Sequence, residues 1–214
     1  MIKFLLLIKR FNLKAIHSSK KFNKKFSKIY DVLKLNLGCG RDYKRGWINI
    51  DNNPNKSIKN LDINWDLSIS IPFENNSVDF IFNEHFLEHL TVEEGQVFLK
   101  DCKRVLKDGG VLRISMPDLE TTVKDYFNPN WKEDKKEYYK KFGLEFIKTK
   151  AEKININFRS WGHKWLYDKE ELERRLKEAG FKNIKFCELK ESDYPELRNL
   201  ETRNESTLIA EVVK

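Results

Sequence analysis

An apolar run, Val32 to Leu37 broken by Lys34 and Asn36, ends in Gly38-Cys39-Gly40. Glycine has no Cβ to collide with a bound group, so a strand that runs into Gly-x-Gly can bring its backbone against a ligand. In an open α/β sheet that turn lies at the carboxyl edge, where ligands bind. By itself the pattern is equally that of a plain turn. Asp51 stands eleven positions after Gly40, at the end of the next short stretch, and its carboxylate can accept both hydroxyl protons of a ribose. The plainer role is to cap a turn with Asn52, Asn53 and Pro54. Asp66-Leu67 precedes Ile71-Pro72-Phe73 and offers an acceptor for an adenine amino group and an apolar side chain for the ring face, or else a loop Asx-turn. Cys39, Cys102 and Cys187 stand singly, with no Cys-x-x-Cys pair and no histidine at ligand spacing. Neither a disulfide framework nor a zinc site is expected, no metal is assigned, and a reducing compartment fits.

These side chains need elements to hold them. The periodicity predicts strands over Val32–Leu37, Trp47–Asp51, Leu61–Asn64, Val78–Asn83, Val111–Met116, Ile184–Leu189 and Thr207–Val213. Only six residues, Arg41 to Gly46, link the first two, where parallel neighbours usually need a dozen or more; either that crossover shrinks to a turn or one strand is shorter. A helix is predicted from Thr91 to Leu106, opened by a Thr91/Glu94 capping box and closed by Asp108-Gly109-Gly110. Another follows Asp168-Lys169-Glu170-Glu171, with Leu172 and Leu176 on one face, and ends at Gly180. From about 119 to 157 the sequence is rich in Lys, Glu and aromatic residues without sharp period, and reads as a helical insertion over the carboxyl edge. The alternation implies an α/β fold: a Rossmann-like, seven-stranded, mostly parallel sheet with helices on both faces.

The formal charge of +8 is concentrated at one end. Nine basic residues and no acid precede Asp31, which leaves 32 Lys and Arg against 33 Asp and Glu in the rest. Net charge therefore gives residues 31–214, the expected domain, no preference for nucleic acid. Within the basic arm, residues 1–30, the pattern from Ser19 to Tyr30 is an amphipathic helix. Phe22, Phe26 and Ile29 share one face, and Lys20, Lys21, Lys24, Lys25 and Lys28 another. Such a helix either docks its apolar stripe on the domain or lies on an anionic membrane surface. The run Phe4–Ile8 is far below the roughly 20 residues that span a bilayer, and no small-residue cleavage site follows it. A cytoplasmic location is expected, with membrane contact at most peripheral.

Leu37-Gly38-Cys39-Gly40, Asp51, Asp66-Leu67, Val78-Asp79-Phe80-Ile81, Glu84-His85-Phe86-Leu87-Glu88-His89 and Arg104-Val105-Leu106-Lys107-Asp108-Gly109-Gly110 together resemble, in order and spacing, the motifs of class I methyltransferases that use S-adenosylmethionine. The likeness is to the small-molecule branch, in a variant where Gly46-Trp47-Ile48-Asn49-Ile50-Asp51 closely follows the Gly-x-Gly turn. Asn36 stands where that family usually has an acid, and Asp42 where it often has a third glycine. A dinucleotide fingerprint fits worse, since its third glycine falls on Tyr43 and its acid would lie about 20 residues beyond the loop.

The resemblance implies S-adenosylmethionine as cofactor, held by Leu37, Gly38, Cys39, Gly40, Asp51, Asn52, Asp66, Leu67, Asn83 and Glu84. It sets Asn83-Glu84-His85 beside the reactive methyl, where His85 is the first choice of general base because an imidazole titrates near neutrality; simple packing is its other reading. It also implies that the segment around residues 159–167 closes over the acceptor, a small molecule, saccharide or lipid-linked glycan. His89, Arg159, Trp161, His163 and Tyr167 are the candidate acceptor contacts. The competing reading is a module of the same fold that binds the cofactor or a partner without catalysis.

Overall fold

The computed structural model describes residues 18–52, 59–141 and 143–214. The run Phe4–Ile8, the start of the basic arm and the turn residues Asn53 and Pro54 lie outside the described residues. Seven strands, β1 (Lys34–Leu37), β2 (Ile48–Asp51), β3 (Ile63–Asn64), β4 (Val78–Glu84), β5 (Leu106–Met116), β6 (Asn183–Phe186) and β7 (Leu208–Val213), form one sheet in the order β3-β2-β1-β4-β5-β7-β6. Only β7 runs against its neighbours. The strand order reverses between β1 and β4, which makes the carboxyl edge there the crevice where such sheets bind ligands.

The two-residue period of the strands assigns each face its chemistry. One transverse row, Ile48, Leu35, Ile81, Leu112, Val212 and Ile184, is in register across six strands and wholly apolar. It is covered by helices: α1 over residues 18–26, α2 (Val92–Val105) and α6 (Lys169–Glu178), whose Phe26, Phe98, Leu99, Cys102, Val105, Leu172 and Leu176 enter the same core. The next row on the opposite face is Asn49, Asn36, Phe82, Arg113, Glu211 and Lys185. That face packs Phe80, Phe82 and Val111 against Trp47, Tyr194, Leu197 and Leu200, so its cover includes the segment between β6 and β7 with the short helical turn Pro195–Leu197. Buried Arg113 ties that segment to the sheet. It donates to Glu201 at 2.5 Å, to Glu211 on β7 at 2.6 Å and to the Glu191 carbonyl at 2.8 Å, so its charge is buried with partners.

The crossover between β1 and β2 has no helix at all. Its loop is held instead by side-chain hydrogen bonds. Asn36 Nδ2 donates to the Asp42 carbonyl and to Asn49 Oδ1, both at 2.9 Å. Asn49 Oδ1 also accepts from the Lys44 amide at 2.9 Å, while its Nδ2 donates to the Trp47 carbonyl at 3.0 Å. Asn36 thus orients the loop.

The Thr91/Glu94 capping box is present at the start of α2. The helix ends at Val105, and Asp108-Gly109-Gly110 lies inside β5, not in a turn that closes the helix. It forms an irregular bulge, because the pairing passes from Val78↔Leu106 directly to Phe80↔Val111. Gly110 is needed there: a Cβ would come within 2.9 Å of the Lys107 carbonyl.

Docking wins for α1. Phe26 is buried with its ring 6.3 Å from Phe73, Phe22 packs on the same core, and Ile29 remains 60% exposed. The predicted insertion folds as α3 (Leu119–Phe127), α4 (Lys136–Lys141) and α5 (Lys150–Arg159). These carry their own small core of Trp131, Tyr139 and Ile147 and an Asp125 carboxylate shared by Lys135 and Lys153.

Candidate active site

The carboxyl ends of β1, β2 and β4 meet because Leu37 pairs with both Ile50 and Asn83. The Gly38 and Cys39 amides then continue the ladder onto the Ile50 carbonyl. Gly38 (φ +67) and Gly40 (φ +54) take left-handed backbone, each for its own reason. A Cβ at Gly38 would sit 2.4 Å from the Phe86 ring, whereas one at Gly40 would meet nothing within 4 Å. The first glycine admits Phe86; the second leaves a cradle.

Asp51 closes that cradle. Its Oδ2 accepts from the Gly40 amide at 2.6 Å, and burial raises its pKa above the ordinary carboxylate value despite the Gly40 and Asn52 amides. Asn52 beside it is exposed. Cys39 is a buried free thiol, pushed up to about 12 by burial and then by the Asp51 charge, so it is not a nucleophile at neutral pH. Asp66 makes the Asx-turn, accepting from the Ser68 amide at 3.0 Å and hydroxyl at 2.6 Å, and Leu67 is buried in the core. Asn83 donates to the Leu37 carbonyl at 2.8 Å and leaves its own Oδ1 buried without a partner.

Glu84 is a correction. Its carboxylate is already filled from within the chain: it accepts from the Thr202 amide at 3.0 Å, the Thr202 hydroxyl at 2.9 Å, the Arg203 amide at 3.2 Å and the Ser206 hydroxyl at 2.9 Å. Its work is to clamp the approach to β7 onto the end of β4. Lys44 adds a second stitch, donating to the Leu200 carbonyl at 2.7 Å and to Asp42 at 2.9 Å. Sequence reasoning missed Thr202 and Ser206, 118 and 122 positions from Glu84, and Glu201, 88 positions from Arg113; polar residues so far away give no local sign of their partners.

His85 also differs from expectation. It follows β4 with φ +50, a strained conformation for a non-glycine residue that recurs at functional sites. Its Nε2 lies 3.1 Å from the Ser206 hydroxyl and its Nδ1 3.4 Å from Glu88 Oε1. Burial, and then the nearby Arg203, push the imidazole down to about 3, so it stays neutral at physiological pH and is not the neutrality-titrating base that its residue type suggested. Glu88 moves the other way: burial raises it to about 7, with both carboxylate oxygens lacking hydrogen-bond partners.

Of the acceptor candidates, Tyr167 is buried in the main core, where its hydroxyl comes within 3.0 Å of the space a Gly95 Cβ would fill; it packs and does not face solvent. Arg159 is exposed at the end of α5, and Trp161 is 58% exposed with φ +59. His89 and His163 instead meet each other, with ring centroids 5.0 Å apart. They meet because the Lys164 and Trp165 amides both bond the Glu88 carbonyl, at 2.8 and 3.2 Å.

Residues 35–114 match a family model described as a methyltransferase domain. The demethylmenaquinone methyltransferase of Staphylococcus saprophyticus is 28% identical over 157 residues, covering 68% of this chain and 60% of the relative. That of Staphylococcus aureus is 29% identical over 160 residues, covering 68% and 58%. The chain thus spans about three fifths of the length of these curated relatives. The crystal structure of a putative O-methyltransferase from Nostoc punctiforme aligns with a TM-score of 0.51 over 93% of this chain and 56% of that one, at 12% identity, a likeness of fold.

Proposed function

From the methyltransferase-domain match over residues 35–114 and the seven-stranded sheet, we infer that this chain is a class I S-adenosylmethionine-dependent methyltransferase that binds the cofactor at the carboxyl edge of β1, β2 and β4 and transfers its methyl group to a small molecule. The observation that carries the reading is the open cradle at Gly40, closed on one side by the Asp51 carboxylate. The orphaned Asn83 Oδ1 supplies a further acceptor at the same edge. The residues fit the group: Gly38, Cys39 and Gly40 offer backbone, Asp51 an acceptor for ribose hydroxyls, and Asp66 its second carboxylate oxygen. When bound, the cofactor supplies an activated methyl on a sulfonium, so the protein's share is mainly position and orientation.

Neutral His85, with its ring nitrogens on Ser206 and beside Glu88, takes no proton, and exposed Arg159 and Trp161 contribute polar and planar contacts to the acceptor. The demethylmenaquinone methyltransferases among the relatives support a small-molecule acceptor. The other acceptor readings, a saccharide or lipid-linked glycan, are outcomes of the same experiment: labelled cofactor incubated with fractionated small-molecule and lipid extracts, with the product's label traced. Cofactor binding without any labelled product favours the non-catalytic module, a reading to which the low basicity of His85 lends support.

No helix among the described residues is long and apolar enough to cross a membrane. Because the apolar face of α1 is docked, any peripheral contact of residues 1–30 with anionic lipid is by charge alone, supported by the exposed Lys20, Lys21, Lys24, Lys25 and Lys28. Salt-dependent sedimentation with phosphatidylserine vesicles tests it.

A further inference from the structure

The turn after β4 and the segment after α5 bring together three side chains with no common role in the site above. Glu88 is 1% exposed, and its two carboxylate oxygens are buried with no hydrogen-bond partner. Leaving a buried carboxyl without a partner costs free energy that a native site seldom carries without compensation. His89 is the next residue along the short helical turn Leu87–His89. His163 arrives from 74 positions later. One ligand atom from each of Glu88, His89 and His163 lies within 4.8 Å of the other two.

We propose that Glu88, His89 and His163 form a binding site for one divalent cation of the zinc class, which fastens the Ser160–Trp165 segment to the turn after β4. Two imidazoles and a carboxylate are the donor set that zinc and its neighbours in the first transition row favour. His163 is prepared for the role. Its Nδ1 lies 2.7 Å from the Asn157 carbonyl, which can only accept, so Nδ1 carries the proton and Nε2 presents its lone pair. A backbone carbonyl on the far ring nitrogen is the usual way a metal-binding histidine is held in one tautomer. His89 is held against the same segment, its ring facing the Trp161 and Gly162 backbone. Tetrahedral zinc sets its donors about 3.3 Å apart at bonds of about 2.0–2.2 Å. From donors within 4.8 Å of one another a closing movement of at most about 1.5 Å suffices, and neither histidine is fully buried. A cation there also gives Glu88 a directly bound counter-charge, where the chain sets only the His85 ring at 3.4 Å and the field of Arg203. The sequence hides this site, because no pair among the three has a ligand-motif spacing with the third.

The proposal stands apart from the cofactor reading, and its test does not use methyl transfer. Untagged full-length chain, stripped with a chelator and dialysed, is titrated with Co²⁺ alone and then with Zn²⁺. One equivalent of Co²⁺ giving visible absorption, displaced by one equivalent of Zn²⁺, is expected. His89→Asn, His163→Asn and Glu88→Gln should each weaken binding by about a hundredfold, with circular dichroism unchanged. Should the buried Glu88→Gln fail to fold, the two histidine variants, at partly exposed positions, carry the test alone. His17 is intact in every variant, so binding that rests on it survives them all. A wild-type chain that takes up neither ion at about 50 μM, or binding that both histidine substitutions leave unchanged, overturns the proposal.

Discussion

The Gly40 amide donates to the Asp51 carboxylate at 2.6 Å, tying the turn after the first strand to the end of the second without any helix between them. The two glycines of that turn therefore respond differently to the same change. Gly38→Ala drives a Cβ to 2.4 Å from the Phe86 ring, and overpacking on top of a positive φ costs about 2–4 kcal/mol. Gly40→Ala meets no atom and costs about 1–2 kcal/mol from backbone strain alone, yet it fills the cradle. Denaturant unfolding and cofactor calorimetry on the two variants should show stability lost mainly in the first and affinity mainly in the second. Equal stability losses would remove the distinction.

Arg113 sits across the sheet from the helices, fully buried between Glu201 and Glu211. Arg113→Met leaves two carboxylates buried with no counter-charge, and should destabilise the chain by about 3–5 kcal/mol. Replacing all three with Met, Leu and Leu should recover most of that loss. Urea titration of both variants decides, and a single substitution costing under about 1 kcal/mol would mean that water reaches the network.

At Asp125, burial pushes the carboxyl pKa up, but Lys135 and Lys153 together outweigh it and hold the pKa below the ordinary value. Lys153 is itself pulled down by burial, so the dependable titration is that of the carboxylate on the acid side. A depressed folded pKa stabilises above the unfolded value, near 3.8, and that stabilisation disappears as pH falls through the lower folded value. Asp125→Asn should cost about 1 kcal/mol at pH 7, discounted for the partial exposure of Lys135, and that cost should vanish once the pH lies below the folded pKa. A thermal-melting series in pH that shows the same cost at both ends would contradict this.

Thr91→Ala removes one half of a capping box whose other half, Glu94, accepts from the Thr91 amide at 2.8 Å. A loss of about 1 kcal/mol is expected, read from denaturant midpoints, with Thr91→Ser near wild type.

Local chemistry was legible in the sequence, and long-range partnership was not. The capping box, the strand that enters Gly38-Cys39-Gly40 and the Asp51 that ends the next all depend on neighbours within about a dozen positions. The seven-stranded, mostly parallel sheet followed from alternation, and its strand order did not. What escaped notice depended on contacts made only in three dimensions. Glu84 read as a ligand contact because the loop that satisfies it lies beyond residue 200. His85 read as a base because residue type does not report burial. Asn49, an amide in an apolar strand, was the visible sign that a side-chain network replaces the first crossover helix, and its register partner Asn36 repeats the sign on β1.

Isothermal titration of S-adenosylmethionine into wild type and Asp51→Ala tests the central claim most directly. The account predicts one site per chain with micromolar affinity, and a loss of about a hundredfold in the variant, near 2.7 kcal/mol, with its circular dichroism unchanged. Folded wild-type protein that binds no S-adenosylmethionine, or an Asp51→Ala chain that binds as tightly as wild type, would contradict it.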